Sequence, residues 1–208
     1  FRGLGKPIAR RRYQGGWDDA IPPKECFDLL IGMTQAALIF GGNFFAHLLP
    51  QGKHWIVWDK NNTMPTFGDA ELIWTNISRT SIKIKRFQYN GLLGKEKERF
   101  HPTQKPMALI QDILNDYSSV GDSVLDPFLG SGTTIIAAEQ TGRICYGMEI
   151  APEYVDVIVN RWQNFTGKQA TLDGDGRKFD EIKAERFGVR LGWQDQIKEE
   201  AIEAGMVT

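Results

Sequence analysis

The stretch Asp126-Pro-Phe-Leu-Gly-Ser-Gly-Thr-Thr134 constrains the fold more than any other part of the chain. It closes the short apolar run Ser123-Val-Leu-Asp126 and opens the helical pattern Thr133–Thr141. A strand that passes through a glycine turn directly into a helix is half of a βαβ unit. The other half follows, because Ile144-Cys-Tyr-Gly-Met-Glu149 reads as the next strand and Pro152 starts another helix towards Trp162. Strand–helix–strand at this spacing implies a right-handed crossover and parallel pairing. The expected fold class is therefore α/β, with a doubly wound, mostly parallel sheet.

The same turn points to a ligand. Gly130 and Gly132 let the chain turn tightly and let a ligand approach the backbone where a Cβ would intrude. The helix that follows offers unpaired N–H groups at its first turn. Glu149 stands 23 residues after Asp126, the spacing of an acid that grips ribose hydroxyls. A P-loop requires Gly-Lys-Ser/Thr, but Thr133 stands where the lysine belongs. A dinucleotide site requires a third glycine for close helix–strand packing, and Ile135 occupies that position. S-adenosylmethionine remains, since it carries ribose, adenine and an amino-acid tail without a pyrophosphate. An Asp at the strand tip suits its ammonium group. The rival is an ordinary βα turn with Asp126 capping the helix.

Elsewhere the pattern is less regular. Pro22-Pro23 lead into a helix with Phe27, Leu30 and Ile31 on one face, and Ala37–Phe40 reads as a buried strand stopped by Gly41-Gly42. A short helix over Asn43–Leu49, strands at His54–Trp58 and Glu71–Trp74, and a strand within Ser81–Tyr89 are expected next. His101-Pro-Thr-Gln-Lys-Pro106 leads into a helix over Met107–Tyr117, and two amphipathic helices near 178–188 and 194–204 end the chain. No apolar run approaches the ~18 residues of a membrane span, and two cysteines are too few for a disulfide framework. Those features, with no leader-like start, imply a cytoplasmic protein without membrane contact.

These motifs resemble one family, the amino-directed DNA methyltransferases of the permuted (beta-class) type. "DPFLGSGTT" matches its cofactor motif, "HPTQKP" the segment before it, and "LIFGGN", "WIVWDK" and "FGDAELIWT" its catalytic-half strands. The resemblance implies a Rossmann-like methyltransferase fold and S-adenosylmethionine-dependent methylation of an exocyclic amine in DNA after base flipping, adenine-N6 in preference to cytosine-N4, in restriction–modification. It implies that Thr103 and Lys105 reach the cofactor's carboxylate, Phe128 lies against its methionyl part and Ile150 lines its adenine pocket. With Asp126, Gly130, Gly132, Thr133 and Glu149 these form the expected cofactor site. No metal is expected. The alternatives are a non-catalytic cofactor- or DNA-binding module and an RNA methyltransferase on the same scaffold.

The family's acceptor-Pro-Pro-aromatic tetrapeptide is not in this sequence. Ile21-Pro-Pro-Lys24 has the prolines but neither the acceptor nor the aromatic. The expectation is that the motif lies upstream of Phe1, or comes from a complementary chain or a second copy. Its strand is then the one missing here, and belongs between Ser123–Asp126 and Ala37–Phe40. The organisation expected is 1–76 as the remainder of the catalytic half, 77–100 as a short target-recognition segment, 101–172 as the cofactor-binding half and 173–208 as a helical appendage.

Net charge is -1, but its distribution is uneven. Residues 79–99 hold seven basic and two acidic side chains, and the first twelve residues hold five basic and none acidic. Local positive fields suit a polyanion, and given the resemblance the partner is double-stranded DNA. Arg10, Arg11, Arg12, Lys83, Lys85, Arg86, Gln88, Lys95 and Arg99 are the expected DNA-binding residues. The lysines suit phosphates and Arg86 and Gln88 suit base edges.

Overall fold

The computed structural model describes residues 21–52, 54–62, 68–78, 81–88, 100–101 and 104–187. The chain divides into two compact units, Phe1–Tyr154 and Val155–Thr208.

The first unit starts with α1 (Lys24–Met33), whose Pro23 lies at the helix boundary, where a missing N–H costs no helical bond. Four strands then form one sheet in the order β1 (Leu38–Phe40), β3 (Ala70–Thr75), β2 (Trp55–Asp59), β4 (Lys83–Arg86). β3 runs antiparallel to both neighbours, with Ile39 opposite Trp74 and Ile56 opposite Ile73. β4 runs parallel to β2, with Val57 opposite Ile84. The sheet is therefore mixed rather than mostly parallel. The connection from Asp59 to Ala70 is too short for a helical crossover, so β3 returns beside β2 in the opposite sense.

Alternation along these strands gives the sheet two apolar faces. Ile56, Trp58 and Ile73 pack with Leu109 and Ile113 of α2 (Met107–Tyr117). Trp74 clusters with Phe27, Ala37 and Leu49, and Trp55, Ile39 and Ile31 pack against that cluster. Trp55, Trp58 and Trp74 thus serve packing, and the indoles of Trp58 and Trp74 donate to Phe87 O at 3.0 Å and Pro50 O at 3.1 Å. Between Gly41 and Leu49 the chain makes a series of tight turns instead of the expected helix. Phe44, Phe45 and Leu48 each donate to a carbonyl three residues back. Seven residues ending at Pro50 are too few to repay helix nucleation.

The βαβ unit appears as read. β5 (Ser123–Asp126) and β6 (Ile144–Gly147) pair in parallel, joined through α3 (Thr133–Thr141). Ile110 and Leu114 of α2 meet Ala137 and Ala138 of α3, with Val124, Cys145 and Phe40 packed against them. The ladder partner of β5 is β6 and that of β1 is β3. Arg143 ties the two helices at their C-terminal ends. Its guanidinium donates to Ser118 O at 2.8 Å, Leu114 O at 3.3 Å and Asn115 Oδ1 at 3.1 Å, and also reaches Thr141 O.

α4 (Pro152–Thr166) begins in the first unit and continues into the second, ending before Gly167, whose φ is 69°. The second unit also holds a turn closed by a bridge between Thr171 and Lys178 and then α5 (Phe179–Phe187). The helix expected near 194–204 lies outside the described residues. Among the described residues no helix is long and apolar enough to cross a membrane.

Candidate functional site

The glycine turn is pinned at every step from β5 to α3. Asp126 ends β5, and its Oδ1 accepts from Phe128 N at 3.0 Å while its Oδ2 accepts from Thr134 Oγ1 at 2.6 Å. Gly130 and Gly132 have φ of 54° and 78°, the left-handed region that glycine enters without a Cβ penalty. Gly132 N donates to Leu129 O at 2.8 Å, and Ile136 N to Gly132 O at 3.3 Å opens the helical ladder.

The turn is also stitched to the exit of β6. Leu129 N donates to Met148 O at 3.1 Å, and Met148 N to Asp126 O at 3.0 Å. Glu149 closes the arrangement, its Oε2 accepting from Gly130 N at 2.8 Å and its Oε1 from Ala151 N at 2.9 Å. Leu129 lies directly over Gly147, where a Cβ would come within 2.3 Å of its Cδ1. Asp126, Gly130, Gly132 and Glu149 are thus brought together as the sequence suggests. Phe128 and Ile150 flank the turn with 61% and 80% of their surface exposed. Thr133 is buried, with its hydroxyl 3.4 Å from that of Ser131.

Several neighbours of the turn were not singled out by sequence. Met148 is 60% exposed beside it. His101 is buried with its ring centroid 4.4 Å from that of Tyr154, and a Cβ added at Gly130 would lie 3.4 Å from its ring. Burial raises the Tyr154 hydroxyl above its ordinary value. Burial first, and then the charge of Asp126, push the Cys145 thiol up to about 12. That thiol keeps its proton and is a poor nucleophile.

Lys105 lies by the first sheet, its Nζ 3.7 Å from Glu71 Oε1 and 5.3 Å from the centre of the Phe40 ring. Lys60 meets the other oxygen of Glu71 at 3.4 Å. Thr103 lies outside the described residues.

Of the expected DNA-binding residues, Lys83, Lys85, Arg86 and Gln88 fall on or beside β4, and Arg10, Arg11, Arg12, Lys95 and Arg99 lie outside the described residues. Lys83 and Gln88 are exposed. Arg86 is exposed as well, with Nε 3.3 Å from Asp59 Oδ2. Lys85 differs: its side chain is 11% exposed and pairs with both Asp112 and Asp116 of α2. Burial pulls its pKa down, but the hydrogen bonds and charges of the two aspartates outweigh that and leave it raised. Lys85 therefore fastens β4 to α2.

Known proteins are similar to this chain. The type II methyltransferase M2.DpnII of Streptococcus pneumoniae is 31% identical, over 51% of this chain and 49% of its own length. The type II methyltransferase M.ScaI of Streptomyces caespitosus is 44% identical over 29% of this chain and 20% of its own. The chain thus spans about half the length, or less, of these curated relatives. The crystal structure of an M1.HpyAVI–SAM complex superposes with a TM-score of 0.51 at 26% identity, over 68% of this chain and 85% of that one. The shared fold is the Rossmann-like α/β fold of methyltransferases. The profile of the N6/N4 DNA methylases matches residues 53–160, more than half of the chain and the whole of the glycine turn, and the chain belongs to that family.

Proposed function

We propose that the protein transfers a methyl group from S-adenosylmethionine to an exocyclic amine of double-stranded DNA, adenine N6 rather than cytosine N4. The carrying observation is the glycine turn pinned against Glu149. Its residues suit the cofactor. Each carboxylate oxygen has two acceptor sites, and each oxygen of Asp126 and Glu149 carries one donor from the turn or its flanks. The remaining sites of Asp126 suit an ammonium group, and those of Glu149 suit two ribose hydroxyls. Exposed Phe128, Met148 and Ile150 provide apolar surface for the adenine and methionyl parts. Thr103 and Lys105 are assigned to the carboxylate, and Gly130, Gly132 and Thr133 to the backbone approach.

When bound, S-adenosylmethionine supplies a methyl group on a positively charged sulfur with a neutral thioether leaving group. The chain's own residues bind and orient it; the amine nitrogen gives up one proton as it gains the methyl group, and that proton leaves to solvent or to the acceptor of the tetrapeptide and not to a group assigned on this chain. The acceptor-Pro-Pro-aromatic motif that holds the flipped base is assigned to a segment upstream of Phe1 or to a complementary chain. Lys83, Arg86 and Gln88, with Arg10, Arg11, Arg12, Lys95 and Arg99, are assigned to DNA. Lys85 contributes less, since its charge is met by Asp112 and Asp116. That relatives are named type II methyltransferases supports a role in restriction–modification.

Calorimetric titration of S-adenosylmethionine tests the site. Asp126→Ala and Gly132→Val should both weaken binding strongly, and unchanged affinity in both refutes it. Transfer of labelled methyl to duplex DNA, with the tetrapeptide supplied in cis or in trans, tests the acceptor. Label in N6-methyladenine is expected; label in N4-methylcytosine or in RNA overturns the assignment.

A further inference from the structure

Three charged side chains meet at one edge of the first sheet. Trp58 and Glu71 are partners in the β2–β3 ladder, so their side chains share a face, and Lys60, two residues after Trp58, joins them there. The backbone keeps that register beyond the last ladder pair, because Lys60 N donates to Asp69 O at 2.9 Å. This is the face that packs on α2 through Ile56, Trp58 and Ile73. Lys105, two residues before α2, reaches the same face. Glu71 Oε1 lies 3.7 Å from Lys105 Nζ, and Glu71 Oε2 lies 3.4 Å from Lys60 Nζ. Each ammonium also lies against an aromatic ring, Lys60 at 4.8 Å from the centre of Trp58 and Lys105 at 5.3 Å from that of Phe40. The three side chains are 18–26% exposed, so solvent screens their charges only in part.

The cluster stands on the ligand side of the fold. β1 and β2 both run antiparallel to β3 and hence parallel to each other. Phe40 and Asp59 therefore close their strands at one edge, the edge that carries Lys60 and Glu71. Lys105 fixes the start of α2 there. α2 then leads through residues 118–122 back into β5, so Asp126 ends β5 on that same side. Ligands of open α/β sheets lie beyond the carboxyl ends of the parallel strands.

A carboxylate is a costly neighbour for a lysine assigned to hold a second carboxylate, since Glu71 by itself would offset the charge of Lys105 and repel the ligand's. Lys60 removes that conflict. Two ammonium groups and one carboxylate leave the cluster with one positive charge. We propose that Lys60 is a positioning residue for the cofactor's carboxylate: it neutralises Glu71, which holds the Lys105 ammonium beside β1, and so keeps this corner of the sheet positive. Lys60 acts through Glu71 and Lys105 and not by touching the ligand. The inference rests on the cofactor reading above and on the place given there to Lys105.

The test is calorimetric titration of the full chain with two ligands, S-adenosylmethionine and its decarboxylated form, which keeps the sulfonium, ribose, adenine and ammonium and lacks only the carboxylate. Lys60→Met should raise Kd for S-adenosylmethionine about 5- to 10-fold, as the cluster falls from one positive charge to none. The same variant should bind the decarboxylated ligand as the parent does, or slightly tighter, which also shows that the variant is folded. Adding Glu71→Gln to Lys60→Met restores one positive charge and should return the S-adenosylmethionine Kd to within about 2-fold of the parent. An ion pair that serves only the sheet would weaken both ligands alike, and that result overturns the proposal. So does unchanged S-adenosylmethionine affinity in Lys60→Met, and so does a double variant no better than the single one. In each of those cases the parent's own binding leaves the cofactor reading standing. A parent that binds both ligands equally removes Lys105 from the carboxylate and this proposal with it, and a parent that binds neither ligand refutes the cofactor reading itself.

Discussion

Gly147→Ala is a small change with a large and reversible consequence. The new Cβ would lie 2.3 Å from Leu129 Cδ1, 2.6 Å from Cγ and 2.7 Å from Cδ2. Ordinary carbon contacts begin near 3.5 Å, so Leu129 would have to retreat by about 1 Å. It has little room to do so. Its side chain is buried, its N–H is held by Met148 O and its carbonyl by Gly132 N. Overpacking of this kind costs about 1–3 kcal/mol. Leu129→Ala removes all three offending atoms, at its own cost of about 2–3 kcal/mol for the lost burial. In that background the three atoms nearest the new Cβ are gone. Gly147 is not among the residues with positive φ, so alanine there should be neutral or stabilising by up to about 1 kcal/mol through the unfolded chain's entropy. Urea denaturation of the four proteins without ligand, followed by tryptophan fluorescence, measures the cycle. The sign of the Gly147→Ala effect should reverse between the two backgrounds. An equal cost in both would refute the packing argument.

Further expectations concern charge and reactivity. Arg143→Met should lose about 3 kcal/mol in urea denaturation with little dependence on salt, because it strips a charged donor from carbonyls of α2 and α3. Replacing Lys83 and Arg86 by Ala should flatten the log–log salt dependence of duplex binding by roughly 0.9 per lost phosphate contact. Lys85→Met should lower stability instead and leave that slope as in the parent. Cys145 should resist alkylation by iodoacetamide at pH 8 until the protein is unfolded, as peptide mapping by mass would reveal. With its thiol pushed up to about 12 in the fold, the stability it contributes is present below the ordinary thiol pKa of 9.0 and declines as pH rises from there towards 12.

The βαβ unit was legible because its signals are local. Pro106 before α2, Gly121-Asp122 before β5, and Gly132 and Gly142 at either end of α3 mark boundaries that each residue's own backbone preference enforces. Asp126, Gly130, Gly132 and Glu149 were legible for a related reason, since their separation in sequence is fixed by one strand, one turn and one helix. What sequence left open depends on distant partners. Nothing near Lys85 says that Asp112 and Asp116 will meet it from α2, so it read as a free cation in a basic run. The antiparallel return of β3 depends on connection length and on which edge of β2 is open. Nothing near His101 says that its ring will lie against that of Tyr154, 53 positions away.

α2 makes these distant contacts interdependent. Its Leu109 and Ile113 pack on the mixed sheet, while Ile110 and Leu114 pack on α3 beside β5 and β6. Successive positions of one helix thus serve two cores. His101, in the segment leading into the helix's N-terminus, lies beside the glycine turn, and the helix's C-terminal carbonyls are held to the end of α3 through Arg143. A rigid helix packed on both cores cannot tilt without disturbing one or the other. The glycine turn is therefore set not only by its own residues but by the helix that precedes it in sequence.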